Sequence, residues 1–198
     1  MGRSPTAVVS RGEATRQRLR VAAAKVFAER GFHETKVSQI VAELGMSQPT
    51  FYSSYPSKEA AYEELVGEFR KRLKALTANQ LIENRIPDDQ LEDRVASSIL
   101  NFLEFLAEDP DLTEIGFFQP HGASLTKQAL TGWIASNMRQ EQATGQFRSD
   151  ISAPDMAAFL VGMIDQMART SKNQKDRRSR SIACARLFCG GVRSAASE

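Results

Sequence analysis

The stretch from Thr35 to Lys58 constrains the fold of this chain most, because its spacing predicts two short helices joined by a tight turn. Thr35 is a suitable N-cap for the first of these helices. An apolar face follows at helical spacing, and its members are Val37, Ile40, Val41 and Leu44. Gly45 marks the end of this helix, because a residue without a Cβ atom enters the left-handed conformation at little cost.

The second helix of this stretch is expected to begin after Ser47, which can cap it, and Pro49 is tolerated in its first turn. Phe51 and Tyr55 are four residues apart and would pack this helix against the first. A helix, a glycine-containing turn and a short second helix form the helix-turn-helix pattern of DNA-binding proteins. The sequence therefore predicts contact with double-stranded operator DNA.

Further residues on both sides extend this pattern. They are Ala23, Ala24, Phe27, Gly31, Phe32, Thr35, Val37, Ile40, Gly45, Ser47, Thr50, Phe51, Tyr52, Tyr55, Ser57, Lys58 and Glu59. With them, residues 15–62 resemble the DNA-binding region of the TetR family of bacterial transcriptional regulators. Two positions depart from the family pattern: Ser54 stands where the family usually has His or Tyr, and Ala61 where it usually has Leu.

Apolar spacing along the rest of the chain predicts an all-α protein of about nine helices. Pro120 and Gly122 are expected to break the chain before a helix over residues 123–143, and Lys172 to Arg180 are expected to form a polar interval before the last helix. We expect a disordered basic tail at residues 1–9, a DNA-binding helix-turn-helix domain at residues 10–60, and a helical effector-binding and dimerisation domain at residues 61–198. Ser10 and Glu13 form a possible capping box for the first helix.

The charge distribution favours DNA binding by the N-terminal part. Residues 1–60 hold nine Lys and Arg against five Glu, whereas the remainder holds seventeen basic against nineteen acidic residues. A basic end beside a helix-turn-helix suits a phosphate backbone. Arg16 and Arg18 are candidates for DNA contact, while Arg3 also fits a solvated tail.

Other protein classes are disfavoured by what the sequence lacks. There is no run of about eighteen apolar residues for a membrane span, and no apolar segment follows the N-terminal arginines as in a secretory signal, so we expect a cytoplasmic protein. With two His, no Gly-rich phosphate loop and no metal-ligand spacing, we expect no enzyme and no cofactor or metal. Cys184 and Cys189 do not share a helix face, and reduced structural thiols are favoured over a redox sensor.

The helix-turn-helix pattern assigns residues to the DNA. Angular positions on the second helix of the motif predict base contacts, which are Gln48, Pro49, Thr50 and Ser53. Phosphate contacts are predicted for Thr35, Lys36, Tyr52 and Lys58. His33 is expected to be exposed.

The resemblance implies a homodimer with a small-molecule pocket in the C-terminal part. The candidate pocket residues are Phe102, Phe105, Phe117, Phe118, His121, Trp133 and Met138, although such apolar residues also fit a plain core and His121 a solvated loop. The candidate dimer residues are Met156, Phe159, Leu160, Met163, Met167, Ile182 and Leu187. We therefore expect a repressor that a small apolar or aromatic molecule releases from a palindromic operator. The alternative is a DNA-binding regulator or architectural protein without an effector.

Overall fold

The computed structural model describes residues 11–192, and this part of the chain folds into nine α-helices and one π-helical turn. The helices are α1 (Arg11–Arg30), α2 (Val37–Ala42), α3 (Gln48–Tyr52), α4 (Lys58–Ala78), α5 (Asp88–Glu108), α6 (Pro110–Thr113), α7 (Pro120–Ala143), α8 (Ala153–Thr170) and α9 (Gln174–Val192). The π turn covers Glu114–Phe118 and joins α6 to α7. The predicted all-α fold is confirmed. The predictions for the tail at residues 1–9 and for capping by Ser10 lie outside the described residues.

Several helix ends follow from the local chemistry that the sequence shows. Gly31, at φ 78°, ends α1. The Ser57 hydroxyl caps α4 by accepting from the Ala60 N–H at 3.1 Å, and an Asp109 carboxylate oxygen caps α6 by accepting from the Leu112 N–H at 3.0 Å. Helix α5 begins with Asp88 and Asp89 in its first turn, where carboxylates suit the positive end of the helix dipole.

The predicted break at Pro120 and Gly122 is wrong, because both residues lie inside α7. Proline is favourable at the first position of a helix, where its missing N–H has no intrahelical partner. Gly122 serves close packing instead: a Cβ atom at this position would lie 2.3 Å from the Ile115 carbonyl oxygen and 2.9 Å from the Tyr62 hydroxyl.

The predicted polar interval from Lys172 to Arg180 is also mostly helical, since α9 begins at Gln174. The Asn173 side chain accepts from the Asp176 N–H at 2.9 Å and so caps the helix. Arg180 pairs with Asp176 at 3.0 Å, one turn away. The Asn173 cap and this ion pair thus stabilise a helix in a segment whose composition alone is typical of a loop.

The buried side chains form one continuous core that runs from α1 to α9. Helix α5 packs against α9, α7 packs against α8 and α4, and α1 packs against α2, α4 and α6. Cys184 and Cys189 are buried free thiols in this core, and burial raises the pKa of the Cys184 thiol. Among residues 11–192, none of the helices has both the length and the apolarity that crossing a membrane requires.

Side-chain hydrogen bonds join α1 and α4 to the segment between α6 and α7. The Tyr62 hydroxyl, on α4, donates to the Ile115 carbonyl in the π turn at 3.0 Å. The Gln119 amide, just before α7, donates to the Phe27 and Ala28 carbonyls at 3.1 and 2.8 Å. Because the last carbonyls of a helix lack intrahelical donors, Gln119 acts as a cap for α1 from a distant part of the chain.

The packing at Gly122 predicts the effect of adding one methyl group. We expect Gly122→Ala to lower the free energy of unfolding by about 1–3 kcal/mol, because the backbone of Ile115 cannot yield as a flexible side chain would. Urea titration followed by circular dichroism measures this change. Gly132→Ala is the matched control on the same helix, where a Cβ atom meets nothing within 4 Å, and it should stabilise the chain by about 0.4–1 kcal/mol. Equal effects of the two substitutions would contradict this account.

Candidate nucleic-acid interface and helical-domain cavity

The turn between α2 and α3 has the geometry that the sequence predicts. Gly45 adopts φ 62°, and the Met46 N–H donates to the Val41 carbonyl at 2.9 Å. Phe51 and Tyr55 are buried and hold α3 against the core. The two short helices therefore form a rigid helix-turn-helix unit.

Thr35 is not the N-cap of α2. The cap is Lys36, whose N–H donates to the Gln39 side-chain oxygen at 2.8 Å. The Thr35 hydroxyl is buried and donates to the Gly31 carbonyl at 2.7 Å. It satisfies the end of α1, so this hydroxyl is not available for the predicted phosphate contact.

The outer side of α3 carries the candidate base contacts. Gln48, Pro49 and Ser53 are exposed, and Thr50 is half-buried. The Ser53 hydroxyl donates to the Thr50 carbonyl at 2.7 Å, and the Thr50 hydroxyl lies 3.1 Å from that of Ser47. The exposed Gln48 amide is therefore the long hydrogen-bonding side chain that α3 presents to solvent at its N-terminal end.

Lys58 has a structural role that the sequence does not indicate. Its ammonium group donates to the Phe32 and Thr35 carbonyls, both at 2.9 Å, and lies 4.5 Å from the centre of the Phe32 ring. Two of its three N–H donors are thus used inside the chain. Lys58 ties the start of α4 to the connection between α1 and α2, which leaves the exposed Lys36 and Tyr52 as the freer candidates for phosphate.

Arg16 is likewise occupied within the chain. Its guanidinium group donates to the Ser54 carbonyl, forms an ion pair with Glu64, and lies 4.5 Å from the centre of the Tyr55 ring. This contact fixes α1 to the junction of α3 and α4. Because Arg16 and Glu64 are 48 positions apart, no local pattern could have paired them. Arg18 is exposed.

A cavity of about 50 Å³ lies between α4, α5, α7, α8 and α9. Its apolar lining comprises Ile82, Val95, Ile99, Phe102, Ile134, Met138, Phe147, Leu160 and Phe188. Its polar lining comprises Thr77, Gln80, Ser98, Asn137 and Glu141. The cavity is thus an apolar chamber with one polar wall.

Of the seven predicted pocket residues, Phe102 and Met138 line this cavity and the other five do not. Phe105 packs against Phe69, with ring centres 5.2 Å apart. Trp133 lies 5.9 Å from the Lys74 ammonium. Periodicity identified these side chains as apolar, but the packing of neighbouring helices decides which of them face the cavity.

The remaining three predicted pocket residues lie nearer the helix-turn-helix. Phe117 and Phe118 contact each other in the π turn, with ring centres 5.7 Å apart. His121 stacks on Phe32 at 4.2 Å and contacts the exposed His33 edge-on at 5.2 Å. Since α7 begins at Pro120, His121 lies in the first turn of this helix and not in a loop.

Glu141 is the charged residue among the cavity residues that the sequence did not indicate. Glu141 is only 5% exposed, and one of its carboxylate oxygens accepts a hydrogen bond from the Ile82 N–H at 3.0 Å. Burial raises the pKa of this carboxyl to about 7, although the Ile82 hydrogen bond and the positive charge of Arg94 lower it. Its position three residues after Met138 and seven after Ile134, on the apolar face of α7, was the available signal.

The candidate dimer residues divide between two environments. Phe159, Leu187 and Ile182 are 63%, 74% and 38% exposed, and they form an apolar face on α8 and α9. Met163 and Met167 are half-buried beside it. Met156 and Leu160, at 1% and 8% exposure, lie instead in the core of their own chain. Their side of α8 packs against neighbouring helices, so these two assignments to the interface are corrected.

Known proteins resemble this chain along most of its length. A family model for bacterial regulatory proteins of the tetR family matches residues 19–65. The uncharacterized HTH-type transcriptional regulator YdgC of Bacillus subtilis (strain 168) is 40% identical over 161 residues, which cover 81% of this chain and 83% of that protein. The chain belongs to the TetR family. It is therefore a DNA-binding transcriptional regulator.

Solved structures share the TetR-family fold. A bacterial regulatory protein in the tetR family from Rhodococcus RHA1 matches with a TM-score of 0.72 and 19% identity, over 92% of this chain and 98% of that one. A γ-butyrolactone receptor, described as ArpA-like, matches with a TM-score of 0.71 and 19% identity, over 94% of this chain and 92% of that one. At this identity the likeness concerns the fold alone.

The two lysines of this TetR-family motif predict separable effects. Lys58→Ala should lower the free energy of unfolding by about 1–3 kcal/mol, because it leaves two partly buried carbonyls without a donor. The exposed control Lys36→Ala should change it by less than about 0.5 kcal/mol. Lys36→Ala should instead flatten the salt dependence of binding to a random-sequence duplex, by about 0.9 for each phosphate that the protein no longer neutralises. If Lys58→Ala keeps its stability and flattens that dependence, Lys58 binds phosphate.

Proposed function

We propose that this regulator is a homodimeric repressor that binds a palindromic operator and is released when a small molecule occupies the helical-domain cavity. The observation that carries the proposal is the course of α4. Its first residue, Lys58, holds the carbonyls before α2, and Thr77, one residue from its end, lines the cavity. At about 1.5 Å per residue, this single helix connects the two sites over about 30 Å.

The exposed side chains of α3 support sequence-specific binding. The Gln48 amide can pair with the adjacent donor and acceptor of adenine in the major groove, and Pro49 and the Thr50 methyl suit a thymine methyl. Ser53 completes the same outer side. Lys36 and Tyr52 would hold phosphates and so fix the position of α3 without specifying bases.

The apolar face on α8 and α9 supports dimerisation. Phe159, Ile182 and Leu187 leave large apolar side chains in solvent on the neighbouring helices α8 and α9, and exposed apolar surface of this kind is typical of an interface. Two-fold pairing of α8 and α9 with their copies would form a four-helix contact. Residues 61–198 would then provide dimerisation and effector binding, and residues 10–60 the DNA contacts.

Release of DNA would follow from movement of α4. A ligand can shift the protein only if it binds one conformation more tightly than the other. Widening the cavity displaces Thr77 and with it α4, and the Gln119 contact to the end of α1 would carry movement of the π turn to the same region. The spacing of the two copies of α3 would change, and the dimer would no longer match both half-sites.

A small-molecule effector is supported by the fold, because a protein of the same fold is described as a γ-butyrolactone receptor. The small cavity favours a second candidate, a regulator without any effector, because about 50 Å³ admits few organic molecules without rearrangement. In either case the protein would act in the cytoplasm on DNA and would catalyse no reaction.

Charging the apolar face tests the dimer. Phe159→Glu should convert the dimer to a monomer in sedimentation velocity and weaken operator binding, because the introduced carboxylate would be buried in the interface. Leu125→Glu is the control, since Leu125 is 59% exposed on α7. A dimer of normal size from Phe159→Glu would place the interface elsewhere.

Selection from random duplexes tests how DNA is recognised. The wild type should select two-fold related half-sites, because the symmetry of a dimer is imposed on its operator. Gln48→Ala should lose about 1–3 kcal/mol at one base pair in each half-site, whereas Lys36→Ala should weaken binding to selected and scrambled DNA alike. Equal weakening of both DNAs by Gln48→Ala would make Gln48 a backbone contact.

A further inference from the structure

We propose that the cavity takes a small cationic ligand, an apolar body with a protonated amine, whose ammonium group pairs with Glu141. This assignment names the chemical class of the effector and rests on the proposed function only for its regulatory consequence. It replaces the purely apolar or aromatic ligand that the sequence favoured.

The first argument is that the Glu141 carboxylate lacks a cationic partner. Within residues 11–192, the one donor to this carboxylate is the Ile82 N–H at 3.0 Å, and Arg94, the cation whose field reaches it, makes its hydrogen bonds to Ser98 and Gln80 instead. Buried carboxylates are normally paired or fully hydrogen-bonded, because removing the charge from water is costly. A ligand cation would supply the missing charge.

The second argument is that most hydrogen-bond donors of the polar wall of the cavity are already in use. The Thr77 hydroxyl donates to the Leu73 carbonyl at 2.8 Å, and the Asn137 amide donates to the Thr77 carbonyl at 2.9 Å. The Gln80 amide donates to the Leu76 carbonyl at 3.0 Å, and the Ser98 hydroxyl to the Arg94 carbonyl at 3.0 Å. Both hydroxyl donors and one N–H of each amide are therefore in use. Because the one charged group beside them is a carboxylate, the wall favours a ligand that donates hydrogen bonds and disfavours an acid.

The third argument concerns the charges around Glu141 on each packed element. On α5, Arg94 acts on Glu141 through its field, but its guanidinium donates to the Ser98 hydroxyl at 2.6 Å and to the Gln80 carbonyl at 3.1 Å. On α4, α8 and α9 and in the segment after α4, the described cavity residues carry no ionisable group, and they are Thr77, Gln80, Ile82, Leu160 and Phe188. Among the described residues lining the cavity, Glu141 is therefore the single site of charge.

The apolar part of the ligand must be small or must push the helices apart. The cavity of about 50 Å³ is well below the roughly 150 Å³ that accommodates benzene in a protein interior. Apolar residues from α5, α7, α8 and α9 line the cavity together with Glu141, and Thr77 of α4 also lines it. Entry of an alkyl chain would therefore act on the helix that reaches the DNA-binding motif.

A matched set of probes tests the charge of the ligand. n-Butylammonium, 1-butanol and butyrate share one alkyl chain and differ in charge. Each is titrated at constant ionic strength into the ¹⁵N-labelled full chain, and the Ile82 amide signal reports directly on the Glu141 carboxylate. We expect n-butylammonium to bind at least about tenfold more tightly than 1-butanol, and butyrate not to bind, since only the cation gains a charge-assisted hydrogen bond.

The variant Glu141→Gln separates charge from shape. Its side-chain oxygen can still accept from the Ile82 N–H, so the fold is retained. It should lower the affinity for n-butylammonium at least about tenfold and change that for 1-butanol by less than about twofold. Without ligand its melting temperature at pH 8 should equal or exceed that of the wild type. The wild-type carboxyl, with its pKa raised by folding, loses stability as the pH rises toward and through about 7, and Gln does not titrate.

The pH dependence gives a third readout that needs no variant. Affinity of the wild type for n-butylammonium should rise about tenfold from pH 6 to pH 8, as a carboxyl with a pKa of about 7 ionises. The Gln variant should show no such rise. Equal binding of the alcohol and the ammonium ion, tight binding by Glu141→Gln, or no effect of any probe on Ile82 would each overturn the proposal.

Operator release is measured separately, by fluorescence anisotropy on the selected duplex. Binding of n-butylammonium at Glu141 without release of DNA would support the ligand class and contradict the regulatory function. Release by a neutral or acidic compound, with no binding of n-butylammonium, would support the regulatory function and overturn the ligand class.

Discussion

The packing of α4 against both halves of the molecule is the constraint on which the rest of the structure depends. Near its start, the Lys58 ammonium and the Tyr62 hydroxyl donate to carbonyls of the α1–α2 connection and of the π turn. Near its end, the Asn137 amide of α7 donates to the Thr77 carbonyl. These contacts tie α4 to the α1–α2 connection at its start, to the π turn one turn later, and to α7 near its end, so α4 is the element that joins the DNA-binding motif to the helices that follow.

The close approach at Gly122 supports the same joint. Because Gly122 has only a hydrogen atom as its side chain, α7 packs closely against the Ile115 carbonyl and the Tyr62 hydroxyl. Gln119, just before α7, then lies within hydrogen-bonding distance of the end of α1. His121 then stacks on Phe32, whose ring also receives the Lys58 ammonium. Lys58 and His121, which the sequence suggested for DNA or ligand binding, therefore connect the helix-turn-helix to α4 and α7 in this structure.

The half-buried carboxylate of Glu64 and the buried carboxylate of Glu141 show how tertiary context decides the role of a charge. Glu64 pairs with Arg16 and accepts from the Tyr55 hydroxyl at 3.2 Å, so its charge is compensated inside the fold. Glu141 has only a backbone donor, and burial raises its pKa. The first carboxylate stabilises the helix-turn-helix, and the second is the feature that points to a ligand.

The sequence by itself determined the all-α class, the helix-turn-helix and its turn at Gly45, and the caps at Ser57 and Asp109, because all of these depend on neighbours within a few residues. Only the tertiary structure decided that Lys58 and Arg16 bind the chain's own carbonyls, that Glu141 lines the cavity, and that Met156 faces inward while Phe159 faces out. Helical periodicity defines the faces of each helix separately. Which face meets another helix, a cavity or solvent depends on contacts between residues tens of positions apart, and a single sequence carries no local signal of those contacts.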